Sequence, residues 1–118
     1  MDSKIKEKIE RIISERRRAN KFFFENSDVY KSFVEMEKRA FSEGHLDTKS
    51  KELIALGISI HKNCEPCMEW HIRQALDSGA TKEQILEALE VGMEMGGGPA
   101  TVSSRFALQV LEYYTNSA

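Results

Sequence analysis

Apolar residues recur along this chain at spacings of three and four, the pattern of amphipathic helices. The first stripe, Ile5, Ile9, Ile12 and Ile13, predicts a helix from about Ser3 to Glu25. No segment alternates apolar and polar residues with a period of two, so no sheet is expected. The pattern predicts an all-α fold of about six helices.

Capping and breaking residues set the expected bounds of the other five helices. An expected cap at Asn26-Ser27-Asp28 opens the second helix, and Asp47 or Thr48 opens a third over about 49–61. Pro66 suits the first turn of a fourth helix running from about Cys64 to Ser78, where Gly79 stops it. Thr81 and Gln84 form a capping box for the fifth, and Gly96-Gly97-Gly98-Pro99 separates it from the sixth. The apolar positions expected to face inward include Val29, Phe33, Met36, Ile54, Ile58, Met95, Val102 and Leu108.

Length and charge restrict the class of protein. A chain of 118 residues with a net charge of −2 matches one domain (1–118) and no basic nucleic-acid binder. Residues 1–26 hold eight basic and five acidic side chains, so this expected N-terminal helix carries +3 and the remainder −5. We expect this helix to pack on the body or on a neighbouring subunit. The chain shows no apolar run long enough for a membrane span and no signal peptide, which predicts a cytoplasmic protein without a membrane partner.

The segment that carries candidate chemistry surrounds the two cysteines. Cys64, Cys67 and His71 have the spacing i, i+3 and i+7, which places them on one helix face. Eleven residues separate Glu52 from Cys64, so a tight connection between two helices folds Glu52 back against His71. In a reducing compartment, such a close cysteine pair is more often redox-active or metal-binding than structural.

Each residue type in this set has a chemical role. The attacking form of cysteine is the thiolate, and the unpaired N–H groups of a helix start stabilise it. His71 accepts or shuttles a proton near neutral pH, and Glu52 fixes its tautomer. The resulting dithiol can reduce a hydroperoxide or exchange with another disulfide. Its position nearer the helix start favours Cys64 as the more acidic thiol, and the alternative that Cys67 is the more acidic one stays open.

The pattern Glu-x11-Cys-x2-Cys-x3-His resembles the signature of AhpD-like alkylhydroperoxidases in the carboxymuconolactone decarboxylase family. KELIALGISIHKNCEPCMEWH and MGGGPA extend the resemblance, which runs loosely from about Val29 to Tyr114. It implies an all-α fold, a homo-oligomer (often a hexamer built as a trimer of dimers) and reduction of peroxides or disulfides. It also implies that Cys67 attacks the peroxide, Cys64 resolves, and Glu52 with His71 relays protons.

One position departs from that family pattern. Some AhpD members carry a second histidine just before the second cysteine, where this chain has Pro66 after Glu65. Without that histidine the site lacks an imidazole donor that could support catalysis, and the negative charge of Glu65 opposes thiolate formation. This departure favours a general disulfide reductase over a fast peroxidase.

Three other functions stay open at the sequence level. Cys64, Cys67 and His71, with His61 or Glu52, are a possible zinc set, although structural zinc sites usually draw on two separated pairs. A decarboxylase of the same family needs no cysteine pair, and a non-catalytic scaffold would keep two slow thiols. The preferred prediction is a dithiol oxidoreductase that needs no cofactor or metal. Its partners are a hydroperoxide or disulfide substrate and an electron donor that the sequence does not identify.

Overall fold

The computed structural model describes residues 1–115, which form six α-helices and no strand. The all-α, six-helix prediction is therefore confirmed for this part of the chain. The helices are α1 Ser3–Asn26, α2 Asp28–Phe41, α3 Thr48–His61, α4 Glu65–Asp77, α5 Lys82–Gly96 and α6 Gly98–Thr115.

The helices start at the capping residues that the sequence indicates. Ser27 caps α2 with its side chain, and Asp47 Oδ1 accepts a hydrogen bond from Ser50 N at 2.7 Å at the start of α3. Hydrogen bonds from Ser50 hold the pKa of Asp47 below its ordinary value. At α5, Thr81 and Gln84 exchange reciprocal bonds of 3.1 and 3.0 Å, the expected capping box. Local sequence thus decides where each of these helices begins.

The core lies among α3, α4, α5 and α6, and α1 adds one fully buried side chain to it. Helix α3 packs against both α4 and α5, while α6 contacts all three. The fully buried large apolar residues are Ile9, Leu56, Ile60, Met68, Ile72, Ile85 and Val110. Because Met68 and Ile72 belong to α4, this packing fixes the orientation of the helix that carries the cysteines.

A glycine allows α3 and α5 to approach closely. A methyl group on Gly92 of α5 would lie 2.5 Å from Cδ1 of Ile60 and 3.0 Å from the backbone oxygen of Gly57. Real Cβ atoms do not tolerate the shorter of these distances, so the crossing depends on the absence of a side chain at Gly92.

Several apolar positions expected to face inward are on the surface instead. Helix α2 has no buried residue, and Val29 is 82% exposed. Ile54 and Ile58 on α3 line an open groove of about 630 Å³ against α5. Helical periodicity identifies the apolar side of a helix but not what covers it. The positions for which the inward expectation is wrong are Val29, Phe33, Met36, Ile54, Ile58, Met95, Val102 and Leu108.

No helix within residues 1–115 is both long enough and apolar enough to cross a membrane.

Candidate active site

A three-residue connection turns the chain from α3 into α4 and presents the cysteines. Asn63 adopts a left-handed backbone conformation with φ of 54°, which asparagine tolerates better than most residues. Its Oδ1 accepts a hydrogen bond from Ser103 Oγ on α6 at 2.9 Å. The backbone N–H of Cys64 donates to the carbonyl of Ser59 at 3.0 Å. These bonds hold the connection against the last turns of α3 and against the N-terminal part of α6.

Cys64 and Cys67 are joined by a disulfide at the start of α4, with their Cα atoms 5.2 Å apart. Cys64 is the N-cap residue, and its Sγ accepts a hydrogen bond from the backbone N–H of Cys67 at 3.3 Å. Both residues are partly exposed. The sulfur at the N-cap is therefore placed where the backbone N–H groups of the first turn stabilise negative charge.

The structure brings Glu52 and His71 together across α3 and α4. Glu52 Oε1 lies 2.7 Å from His71 Nδ1, and the two side chains are 7% and 16% exposed. Opposite a carboxylate, Nδ1–H donates to Glu52, which leaves Nε2 as the ring nitrogen that can exchange a proton with another group. His71 follows Cys67 by about one turn of α4 and lies on the same helix face.

Phe41 covers the imidazole and was not singled out from the sequence. Its ring stacks on that of His71 with centroids 5.6 Å apart and planes inclined by 21°. The hydroxyl of Thr48 donates to the Phe41 carbonyl at 2.8 Å, which ties the end of α2 to the start of α3. Nothing in the sequence pattern distinguishes this phenylalanine from the other aromatic residues, because the contact depends on how α2 turns back toward α4.

A second buried acid, Glu69 on α4, is not indicated by the sequence pattern. Glu69 lies between Cys67 and His71 in the sequence, and its side chain is fully buried. Arg16 Nη1 lies 2.5 Å from Glu69 Oε1, and the two atoms form an ion pair without hydrogen-bond geometry. The Tyr114 hydroxyl donates to the other oxygen, Oε2. Burial and this hydrogen bond raise the pKa of Tyr114. The Arg16 guanidinium also lies 4.8 Å from the centroid of the Trp70 ring.

His61 is not part of this cluster. It is exposed at the end of α3, lines the α3–α5 groove and packs beside Gly96, whose added Cβ would lie 3.2 Å from the imidazole Cδ2. Within residues 1–115, no three His, Cys, Asp or Glu side chains are arranged to hold a metal ion.

The sequence matches the model of the carboxymuconolactone decarboxylase family over residues 27–110. The chain belongs to this family. The match includes all four residues of the Glu52, Cys64, Cys67 and His71 set and begins after α1.

Solved structures of this family share the fold. A carboxymuconolactone decarboxylase family protein from Legionella pneumophila superposes with a TM-score of 0.85 at 31% identity, covering 92% of this chain and 98% of that one. A Thermotoga maritima member, described as a possible participant in an antioxidative response, superposes with a TM-score of 0.81 at 29% identity, covering 88% and 89%.

The chain is also similar to an enzyme of the AhpD type. It is 27% identical over 74 residues to the alkyl hydroperoxide reductase AhpD of Corynebacterium kroppenstedtii, which is 63% of this chain and 42% of that enzyme. The resemblance to AhpD-like proteins that the cysteine pattern indicates is therefore confirmed.

Proposed function

We propose that this protein is a dithiol oxidoreductase that reduces hydroperoxides or disulfides through Cys64 and Cys67, with His71 and Glu52 relaying protons. The observation that carries the proposal is the 2.7 Å pair of Glu52 on α3 with His71 on α4, because His71 lies on the same helix face as a cysteine pair that is joined as a disulfide. The similarity to AhpD and to a family member connected with an antioxidative response supports it.

The proposed oxidation has two steps. His71 takes the proton of the Cys67 thiol, the thiolate attacks the outer oxygen of a hydroperoxide, the O–O bond breaks, and the alkoxide takes that proton from His71 and leaves as an alcohol. Cys67 is then a sulfenic acid. Cys64 loses its thiol proton and its thiolate attacks the Cys67 sulfur, the S–O bond breaks, the leaving hydroxide takes up that proton as water, and the disulfide forms.

Reduction returns two electrons from an external dithiol. Its thiolate attacks the Cys67 sulfur, and Cys64 departs as the thiolate because the Cys67 N–H and the start of α4 stabilise that charge. The second thiol of the donor then attacks the mixed disulfide and releases Cys67. In this scheme, a more acidic Cys64 and a peroxide-attacking Cys67 are compatible, because the stabilised sulfur acts as leaving group in one half-reaction and as resolving nucleophile in the other.

The proposal is tested by oxidising the reduced protein with a hydroperoxide in a stopped-flow instrument and counting thiols. The wild type should lose two thiols per chain and recover both with a dithiol reductant. Cys64→Ser should stop at a sulfenic acid on Cys67 that a dimedone probe traps, whereas Cys67→Ser should react slowly. Trapping on Cys64 in the Cys67→Ser variant, at the wild-type rate, would exchange the two roles.

Two results, one from this experiment and one from a decarboxylation assay of the same variants, would reject the function. If the two thiols react with a hydroperoxide or a disulfide no faster than free cysteine does, the result favours the scaffold alternative. Decarboxylation that continues in Cys64→Ser favours the decarboxylase alternative, which needs no cysteine pair.

We also propose that the protein works as a homo-oligomer. The groove between α3 and α5 is apolar and open, and α2 leaves its apolar face uncovered. Exposed apolar surface of this kind is characteristic of subunit interfaces. Light scattering behind size exclusion should give a mass above 13.5 kDa, and six times that mass if the hexamer implied by the family resemblance holds.

A further inference from the structure

The N-terminal helix reaches the start of the cysteine helix with a charged side chain. Lys8 Nζ on α1 lies 3.0 Å from Glu65 Oε1 and 3.2 Å from Oε2, and it also lies 4.6 Å from the centroid of the Phe106 ring. Its neighbour Ile9 is fully buried, which fixes this part of α1 against the body. Because the family match covers residues 27–110, Lys8 lies outside it while its partners Glu65 and Phe106 lie within it.

Glu65 is the residue for which this lysine matters. It is the first residue of α4 and directly follows Cys64, so its carboxylate shares the first turn with both sulfurs. A negative charge there disfavours a thiolate, because like charges raise the cost of ionisation. The structure pairs that charge with the ammonium of Lys8, so the two charges largely cancel where the thiolate forms.

We propose that Lys8 is a positioning residue of the dithiol that acts through Glu65: it neutralises this carboxylate and so preserves the stabilisation of the first-turn thiolate by the helix start. This inference rests on the proposed dithiol chemistry. Both side chains are about two-fifths exposed, at 45% and 39%. An exposed pair contributes little to folding stability, but its effect on a neighbouring charge is a separate quantity.

Other charged groups on the elements around this turn remain constant in the test below, so differences between variants isolate the pair. The buried charged groups of α4 have their own partners, in the Glu52–His71 and Arg16–Glu69 pairs. Other charged groups on these elements include exposed Lys62 in the α3–α4 connection and exposed Arg105, in the turn of α6 that also carries Ser103 and Phe106.

The test measures the pKa of the more acidic thiol in reduced protein from its ultraviolet thiolate absorbance. A unit charge at roughly 8 Å, with an effective dielectric constant of about 60, shifts a pKa by about 0.5 unit. Lys8→Gln should therefore raise the thiol pKa by about 0.5 unit and cut the thiolate fraction at a pH below that pKa by up to about threefold. Glu65→Gln should lower the pKa by a similar amount.

Two further variants separate charge from structure. Lys8→Arg keeps the charge and should stay near the wild type, and the double variant Lys8→Gln/Glu65→Gln should return to it because no net charge is lost. The shifts should shrink in about 1 M salt, where the Debye length is about 3 Å. The reduction potential in a glutathione buffer should fall in Lys8→Gln, because a less stable thiolate disfavours the reduced form at neutral pH.

Three results would overturn the inference: no shift in Lys8→Gln, an equal shift in Lys8→Gln and Lys8→Arg, or a double variant that does not return to the wild type. None of these depends on turnover. A wild type that fails to reduce hydroperoxides and disulfides would reject the proposed function while the thiol pKa series still reports on Lys8.

Discussion

The charge of Glu52 is the most direct test of the proton relay. Glu52→Gln keeps the size of the side chain and an oxygen able to accept from His71 Nδ1, but it removes the negative charge. In the proposed cycle the imidazole carries a positive charge when it holds the proton destined for the leaving alkoxide. A buried carboxylate at 2.7 Å stabilises that state, and a neutral amide does so less.

The expected loss follows from the kind of hydrogen bond. Charge-assisted bonds contribute about 1.5–3 kcal/mol and neutral ones about 0.5–1.5 kcal/mol, so the substitution removes about 1–2 kcal/mol from the charged state. Since about 1.4 kcal/mol corresponds to tenfold in rate, hydroperoxide oxidation of the dithiol should slow by about 5- to 30-fold. Glu52→Leu should lose more, because it leaves Nδ1 buried without an acceptor.

The assay is the second-order rate of thiol oxidation across a range of pH, alongside unfolding in urea. Glu90→Gln, the same charge change at an exposed position on α5, is the matched control and should retain the wild-type rate. If Glu52→Gln oxidises as fast as the wild type at every pH and unfolds at the same urea concentration, the Glu52–His71 pair has no part in proton transfer.

Three further predictions concern stability. Gly92→Ala should destabilise the fold by about 1–3 kcal/mol in urea, because its methyl group meets the α3 side of the crossing, whereas Gly98→Ala has no atom within 4 Å and should change little. Arg16→Ala should cost about 3 kcal/mol, because it leaves the carboxylate of Glu69 buried without its cation, and a loss below 0.5 kcal/mol would contradict this. Stability should also fall as pH rises above 10, because the unfolded chain loses the Tyr114 proton there while the raised pKa keeps it in the folded state; Tyr114→Phe should flatten that decline.

The helices could be predicted closely because their ends are encoded locally. Ser27, Asp47, Cys64 and Thr81 each bond to a backbone N–H within three residues, so a short window of sequence contains the whole interaction. The uncovered face of α2 could not be predicted in this way. Its apolar stripe has the same period as a buried one, and only the tertiary arrangement leaves it exposed.

In the candidate site, too, the local contacts could be predicted from the sequence and the contacts between distant helices could not. The approach of Glu52 to His71 follows from a short connection between two adjacent helices, so sequence spacing was sufficient to anticipate it. The contacts of Phe41, Arg16 and Tyr114 with α4 span 30 to 53 residues of chain and depend on how α1, α2 and α6 pack. The excess of basic side chains in residues 1–26 indicated that α1 could pair with acidic residues, but it did not indicate which ones.

That excess has a specific use at the cysteine helix. The first two turns of α4 carry two carboxylates that would both oppose a thiolate, and α1 supplies the partner of each in the pairs Lys8–Glu65 and Arg16–Glu69. Removing α1 as a whole would not measure this contribution, because it would also remove Ile9 from the core and destabilise the fold. Charge and packing in α1 can be separated only by single side-chain substitutions. Glutamine in place of Lys8 removes the charge of an exposed side chain and leaves the buried face of the helix intact.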